Sequence, residues 1–288
     1  MSASPAVGGL PADESWLPSV RRWVGAPVTV LGRRDLAGGY VSDAVRRVDL
    51  DADGRRLAVV VKRAGTVEIA AMRALAEVPG VPAPRLLAAG PDWIVLPFYS
   101  GSPPADGVPV ASEVFDVLGR VHTHWRDRCP PGVPVVDAGW WARLCEWTLV
   151  AVRGGLARTG DPRFAATADA LDRWRTDSRI AAALDVLPRT LCHGDPHRGN
   201  LLAGPDGTVL IDWGNARFAP AALDLAVLAA QDASPPPGHP DPGPLATAWG
   251  TLQAHVQYLG FAADHLGPAR VAEMTATAVR ALTTLGRA

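Results

Sequence analysis

The stretch "SDAVRRVDLDADGRRLAVVVK", residues 42–62, limits the available folds more than any other part of the chain. Two runs of strand type, "SDAVRRVDL" and "RRLAVVV", flank "DADG", and an Asp-Gly pair accepts the positive φ angles that a tight hairpin demands. A third run, "VTVLGRRDL" at 28–36, precedes them, and two short ones follow around "RLLAAG" and "WIVLPF". Together they predict an antiparallel sheet of about five strands. Set into this series is a helix, "TVEIAAMRALAEV", with Thr66 as its expected N-cap, Glu68 in its first turn and Pro79-Gly80 as its stop.

After "YSGSPPADG", residues 99–107, the pattern changes. Helical spacing predicts helices over roughly 110–126, 138–157, 164–184, 221–231, 245–260 and 267–286. Only residues 190–212 interrupt them, with a polar loop and then "GTVLIDW", a strand expected to end in Asp212. The expectation is an α+β chain: a small antiparallel β lobe over 1–98, a hinge at 99–107 and a larger, mainly helical lobe over 108–288. No internal repeat is visible. The proline-rich "SPPPGHPDPGP", 234–244, is too long for a simple turn and is of the kind that forms lids or binding elements.

Composition removes several classes of function. A hydrophobic share of 48% over 288 residues supports a buried core, and a net charge of −1 gives no field for a polyanion, so a nucleic-acid partner is not expected. Cys129, Cys145 and Cys192 lack metal or disulfide spacing and read as reduced thiols, with Cys192 a small buried strand residue. Neither a signal peptide nor an apolar run of membrane length is present, so a cytoplasmic protein with no membrane partner is expected, a monomer or weak dimer. Of the 28 basic residues only Lys62 is lysine. It ends the apolar run "RRLAVVVK", where a compact ammonium would emerge from a buried strand, a task for which the broad guanidinium of arginine is poorly shaped.

The segment "LCHGDPHRGNLL", 191–202, sets Asp195 and Asn200 on one loop, and Asp212 follows at a strand end. Their oxygens suit a hard cation such as Mg²⁺, which prefers to share its ligands with phosphate and water. Lys62 supplies positive charge, and Glu68, six residues on, can hold it. Phosphoryl transfer needs these parts, because the protein's main contribution is to position groups and neutralise charge.

"HGDPHRGN" followed by "LIDWGNARFAPAALDLA" resembles the aminoglycoside phosphotransferase and choline kinase type of small-molecule kinase, with the likeness running from about residue 28 to 232. The resemblance implies a bilobal protein-kinase-like fold, use of ATP and Mg²⁺, and transfer of the γ-phosphate to a hydroxyl of a small molecule. On that pattern Asp195 is the catalytic carboxylate, and Asn200 and Asp212 hold the metal. Lys62 grips the α- and β-phosphates, with Glu68 fixing it. The glycine loop "GGYVSDAV" contributes the Gly39 backbone and the Ser42 hydroxyl, and the hinge stretch "IVLPFYSG" contributes Pro97 and Tyr99 to nucleotide binding. Pro97 stands where a glutamate is common, but proline keeps the carbonyl that adenine's amino group needs. Asp224, in "ALDLA", is expected to support the catalytic loop through backbone N–H groups.

Two alternatives fit the sequence less well. A metallophosphoesterase would need a D-x-H at an early strand end and a GNH element, and neither occurs. A catalytically weak, kinase-like nucleotide-binding module is disfavoured because Lys62, Asp195, Asn200 and Asp212 are all intact. His122 and His124, at i and i+2 on a helix, point apart and do not make a metal pair; His122 is expected beside the catalytic loop. Residues 101–190 hold eleven acidic residues against eleven arginines, and 213–288 five against four, which argues against a polycationic acceptor. A nucleoside, macrolide or amino-sugar compound is expected instead. Trp140 and Trp147, seven apart, read as core, and Trp141 as the residue free to stack on it.

Overall fold

The computed structural model describes residues 9–36, 44–81, 84–205 and 207–287. They form two compact units, one made of the described residues up to Pro104 together with Gly199–Asn215, the other of Ala105–Arg198 with the residues from Ala216 onward.

The first unit opens with α1 (Leu17–Val24), absent from the sequence expectation, and continues into β1 (Thr29–Leu36), β2 (Val45–Ala52) and β3 (Arg55–Arg63). Asp53 and Gly54 both have positive φ, 54° and 79°, so the β2–β3 turn is the primed type that matches strand twist. After α2 (Thr66–Leu75) come β4 (Ala88–Ala89) and β5 (Trp93–Pro97), completing an antiparallel sheet of order β1-β2-β3-β5-β4. Thr66 is the first helical residue and not the cap. Gly65 holds the cap position in extended conformation, with no side-chain cap bond. Side chains alternate along β2 and β3, so Val48, Leu50, Val59 and Val61 bury one face against Trp16 and Val20 of the α1 region. Burying large apolar side chains of this kind contributes roughly 1.5–3 kcal/mol each.

In the second unit, α3 (Ser112–His124) and α4 (Ala138–Thr159) are followed by α5 (Pro162–Trp174) and α6 (Ser178–Val186). The single helix expected over 164–184 is thus two. Asp177 breaks it, because its side chain accepts the Arg179 N–H and caps α6, as Asp161 does for α5. Then β6 (Thr190–Cys192) leads to the loop that carries Asp195. The first unit supplies the next hairpin, β7 (Leu201–Gly204) with β8 (Gly207–Leu210), which stops two residues before Asp212. Returning to the second unit, β9 (Arg217–Ala219) pairs antiparallel with β6, and α7 (Ala222–Ala229), α8 (Pro244–Phe261) and α9 (Pro268–Leu285) complete the helical core. Cys192 is fully buried on β6, as the sequence predicts, and all three cysteines are free thiols.

The tryptophan expectation is overturned at two of its three positions. Trp140 is buried, but Trp147 is 63% exposed, and Trp141 is 2% exposed with its indole N–H donating to the Trp174 carbonyl at 2.8 Å. The buried stripe of α4 runs through Trp141, Cys145, Thr148 and Val152. Trp140 borders that stripe under the Arg217 guanidinium, 4.9 Å from the ring, while Trp147 faces solvent. Among the described residues no helix is long and apolar enough to cross a membrane.

Candidate active site

The alternation that buries Val59 and Val61 turns Val60 and Lys62 to the opposite face of the sheet. There the Lys62 ammonium lies 2.8 Å from Glu68 Oε1 of α2 and 3.3 Å from Asp212 Oδ1. The Lys62 and Glu68 side chains are only 12% and 6% exposed, so neither charge is solvated enough to stand alone. Burial by itself would lower the Lys62 pKa, but the two carboxylates outweigh it and hold the ammonium above its ordinary range. This pair is an ion pair at hydrogen-bond distance, set by a strand end and the first turn of the next helix.

Lys62, Glu68 and Asp212 lie on a cavity of about 350 Å³, a size suited to a small ligand. Val45, Val60 and Met72 form apolar parts of its wall, with Leu202 and Ile211 contributed by the β7–β8 region. Pro97 and Tyr99 also line it. Phe98 N–H donates to the Ala58 carbonyl, and the alternation along an antiparallel pair therefore turns the Pro97 carbonyl away from β3. The Tyr99 hydroxyl accepts the Arg85 backbone N–H at 2.8 Å. Gly39 and Ser42 lie outside the described residues.

Asn200 and Asp212 sit at the same end of the β7–β8 hairpin, where the Ile211 N–H donates to the Asn200 carbonyl at 2.8 Å. Asn200 is 9% exposed. Asp212 has φ 63°, a left-handed conformation that aspartate tolerates better than most side chains. The side chains offer hard oxygen donors, so the set fits Mg²⁺ and does not resemble a thiolate or imidazole site.

Asp195 belongs to the second unit, whose elements build the loop around it. Asp224 of α7 is fully buried; its Oδ2 accepts the His193 N–H at 2.9 Å and its Oδ1 the Gly194 N–H at 2.8 Å, as expected from the sequence. His122 Nε2 lies 2.9 Å from the same carboxylate. Burial opposes ionisation of Asp224, but His122, His193 and the Gly194 N–H together hold its carboxyl below the usual range. From α8, Gln257 Nε2 donates to the Gly194 carbonyl at 2.8 Å and Gln257 Oε1 accepts from buried Arg217 at 3.0 Å. The neighbouring Tyr258 hydroxyl donates to Asp195 Oδ1. His197 Nε2 is 3.8 Å from Asp195 Oδ2. His122, Cys192 and Asp224 converge within 4.8 Å but do not form a metal site. The Asp224 oxygens are committed to N–H groups, and burial pushes the Cys192 thiol well up, keeping it a donor to the Ala219 and Pro220 carbonyls.

The residues absent from the sequence reading are Arg217, Gln257 and Tyr258. Gln257 and Tyr258 lie outside the motif stretches, and Tyr258 is 63 positions from the carboxylate it touches.

A β unit with an enclosed lysine and a helical unit with a carboxylate loop are the features of the kinase-like class. The sequence matches the model of the phosphotransferase enzyme family over residues 33–282, and the chain belongs to that family. No curated protein matches the sequence. In fold it is similar to a Thermobifida fusca chain provisionally named a fructosamine-3-kinase (19% identity, TM-score 0.56, 96% of this chain and 100% of that one). It is also similar to a spectinomycin phosphotransferase solved with ADP and spectinomycin (13%, 0.53, 91% and 94%). A choline kinase from Cryptosporidium parvum is comparable (11%, 0.53, 90% and 88%). The fold is the protein-kinase-like fold of these phosphotransferases.

Proposed function

We infer that this chain transfers the γ-phosphate of ATP to a hydroxyl group of a small molecule. The observation that carries the reading is Lys62, the single lysine, buried between Glu68 and Asp212 on an apolar-walled cavity. Its ammonium would hold the α- and β-phosphates, the cavity wall would take the adenine, and the Pro97 carbonyl would accept from adenine's amino group. Gly39 and Ser42 would add contacts to the phosphates, and Tyr99 would border the base. Asn200 and Asp212 would hold Mg²⁺, which neutralises phosphate charge when bound. Asp195 would accept the proton of the acceptor hydroxyl as that oxygen bonds to the γ-phosphorus. The bond from phosphorus to the β–γ bridging oxygen breaks and ADP departs. The ADP held by one structurally similar phosphotransferase agrees with this choice of nucleotide.

The acceptor is a compound with at most one or two positive charges, such as a nucleoside, macrolide or amino sugar. The balance of eleven acidic residues against eleven arginines over 101–190 supports this. Stacking on Trp141 is no part of the reading, because that ring is core.

The test is an ATP-consumption screen over hydroxylated metabolites and antibiotics, with mass spectrometry of any product. Asp195→Asn is expected to fold and bind nucleotide while kcat falls on the order of a hundredfold or more. Wild-type turnover in that variant would remove Asp195 from the chemistry. Rapid phosphorylation of kanamycin-like polycations would overturn the acceptor class.

A further inference from the structure

We propose that Tyr258 is the positioning residue of the catalytic carboxylate: its hydroxyl holds Asp195 Oδ1 and so fixes the orientation in which the carboxylate meets the acceptor hydroxyl. The proposal rests on the phosphotransfer reading of Asp195 and deepens it. A carboxylate on a loop can rotate about two side-chain bonds, and a general base that must meet a hydroxyl within hydrogen-bond reach loses rate when that rotation is free. Tyr258 restricts it with a charge-assisted bond from a ring that is itself packed against the helical core.

The surroundings support a specific role over simple filling. Gln257 and Tyr258, consecutive on α8, hold consecutive residues of the loop: Gln257 binds the Gly194 carbonyl and Tyr258 the Asp195 side chain. Arg217 anchors Gln257 in turn and lies over the Trp140 ring. On the other side, Asp224 fixes the His193 and Gly194 N–H groups. The loop backbone is therefore held by both α7 and α8, and Tyr258 of α8 acts on the carboxylate itself through a hydroxyl that could be removed without removing the ring. Burial and the charge of Asp195 both push the Tyr258 phenol up, which keeps it protonated as the donor. On the other oxygen, Asp195 Oδ2 has the His197 imidazole at 3.8 Å.

The experiment uses the full chain and Mg·ATP, with ADP released to water as the readout, so no acceptor need be known. Tyr258→Phe is expected to lower kcat ten- to a hundredfold while the KM for ATP stays within twofold. Asp195→Asn should fall at least as far, and the double variant should be no slower than Asp195→Asn alone, because Tyr258 acts through that carboxylate. Wild-type kcat in Tyr258→Phe beside an inactive Asp195→Asn would overturn the positioning role and leave the phosphotransfer reading standing. Wild-type kcat in Asp195→Asn would sink both. Effects that multiply in the double variant would also overturn the proposal, since Tyr258 would then act elsewhere. Should Tyr258→Phe fail to fold, 3,5-difluorotyrosine at position 258 keeps the ring and the donor but makes the phenol more acidic. It is expected to change kcat with the KM for ATP unchanged, and an unaltered kcat overturns the proposal.

Discussion

At the scale of single residues, the chain uses lysine once, and that lysine is enclosed. Lys62 meets two carboxylates at 2.8 and 3.3 Å on a side chain that is 12% exposed. A guanidinium carries the same charge but spreads it over a plane with five donors, and it cannot fit the same approach to Glu68 and Asp212 without displacing one of them. Lys62→Arg is therefore expected to raise the KM for ATP and lower kcat together by roughly tenfold or more, in steady-state kinetics on Mg·ATP. Wild-type constants would mean that the rarity of lysine reflects base composition alone.

At the scale of elements, the loop that carries Asp195 hangs from α7 through Asp224. Removing a buried carboxylate from its partners costs about 3–5 kcal/mol, and Asp224→Asn is expected to lose stability of that order at neutral pH by urea unfolding. The loss should depend on pH in one direction. The folded carboxyl is held below its ordinary value of 3.8, so the stability it contributes is complete above that value and disappears as pH falls through the lower folded pKa. The gap between wild type and variant is thus widest near neutrality, begins to narrow near pH 3.8 and closes only below the lower folded pKa. Equal gaps at pH 7 and pH 3 would show that the charge of Asp224 contributes nothing.

The same elements show what can be read from a sequence. The Asp53-Gly54 turn and the strand end at Lys62 were legible because each rests on a local signal, a turn pair and an apolar run, whereas the support from Asp224 followed from the family resemblance of "LIDWGNARFAPAALDLA". The break between α5 and α6 was also local, but the capping Asp177 was hidden among charged neighbours that suit a helix surface equally well. Tyr258 was not legible, since nothing nearby in sequence marks a tyrosine that will meet a carboxylate 63 residues away. Trp141 and Trp147 failed for a related reason. Helical spacing groups residues by face, but which face is covered depends on elements distant in the chain.

At the scale of the whole molecule, the first unit is assembled from two separate stretches of chain. Ser102 pairs with Ala203 of β7 through both backbone bonds, at 3.2 and 2.9 Å, and Gly204 is needed there because a Cβ would collide with the Ser100 carbonyl. A fragment ending at residue 104 lacks this hairpin. It is expected to bind hydrophobic dye and to melt without a cooperative transition, whereas joining 199–215 to it through a flexible linker should restore one. A sharp thermal transition in the short fragment would make the hairpin an accessory.

That division has a consequence in time. On the ribosome the sheet and α2 emerge first, yet Leu202, Ile211 and Asp212 arrive only after the whole of Ala105–Arg198 has been made. At about 5–20 residues per second the delay is roughly 5–20 s, far longer than a hairpin takes to form. Through that interval the nascent sheet carries Lys62 with one of its two carboxylates and an apolar wall without its counterpart. The pocket that the sheet begins is thus completed by residues near position 212.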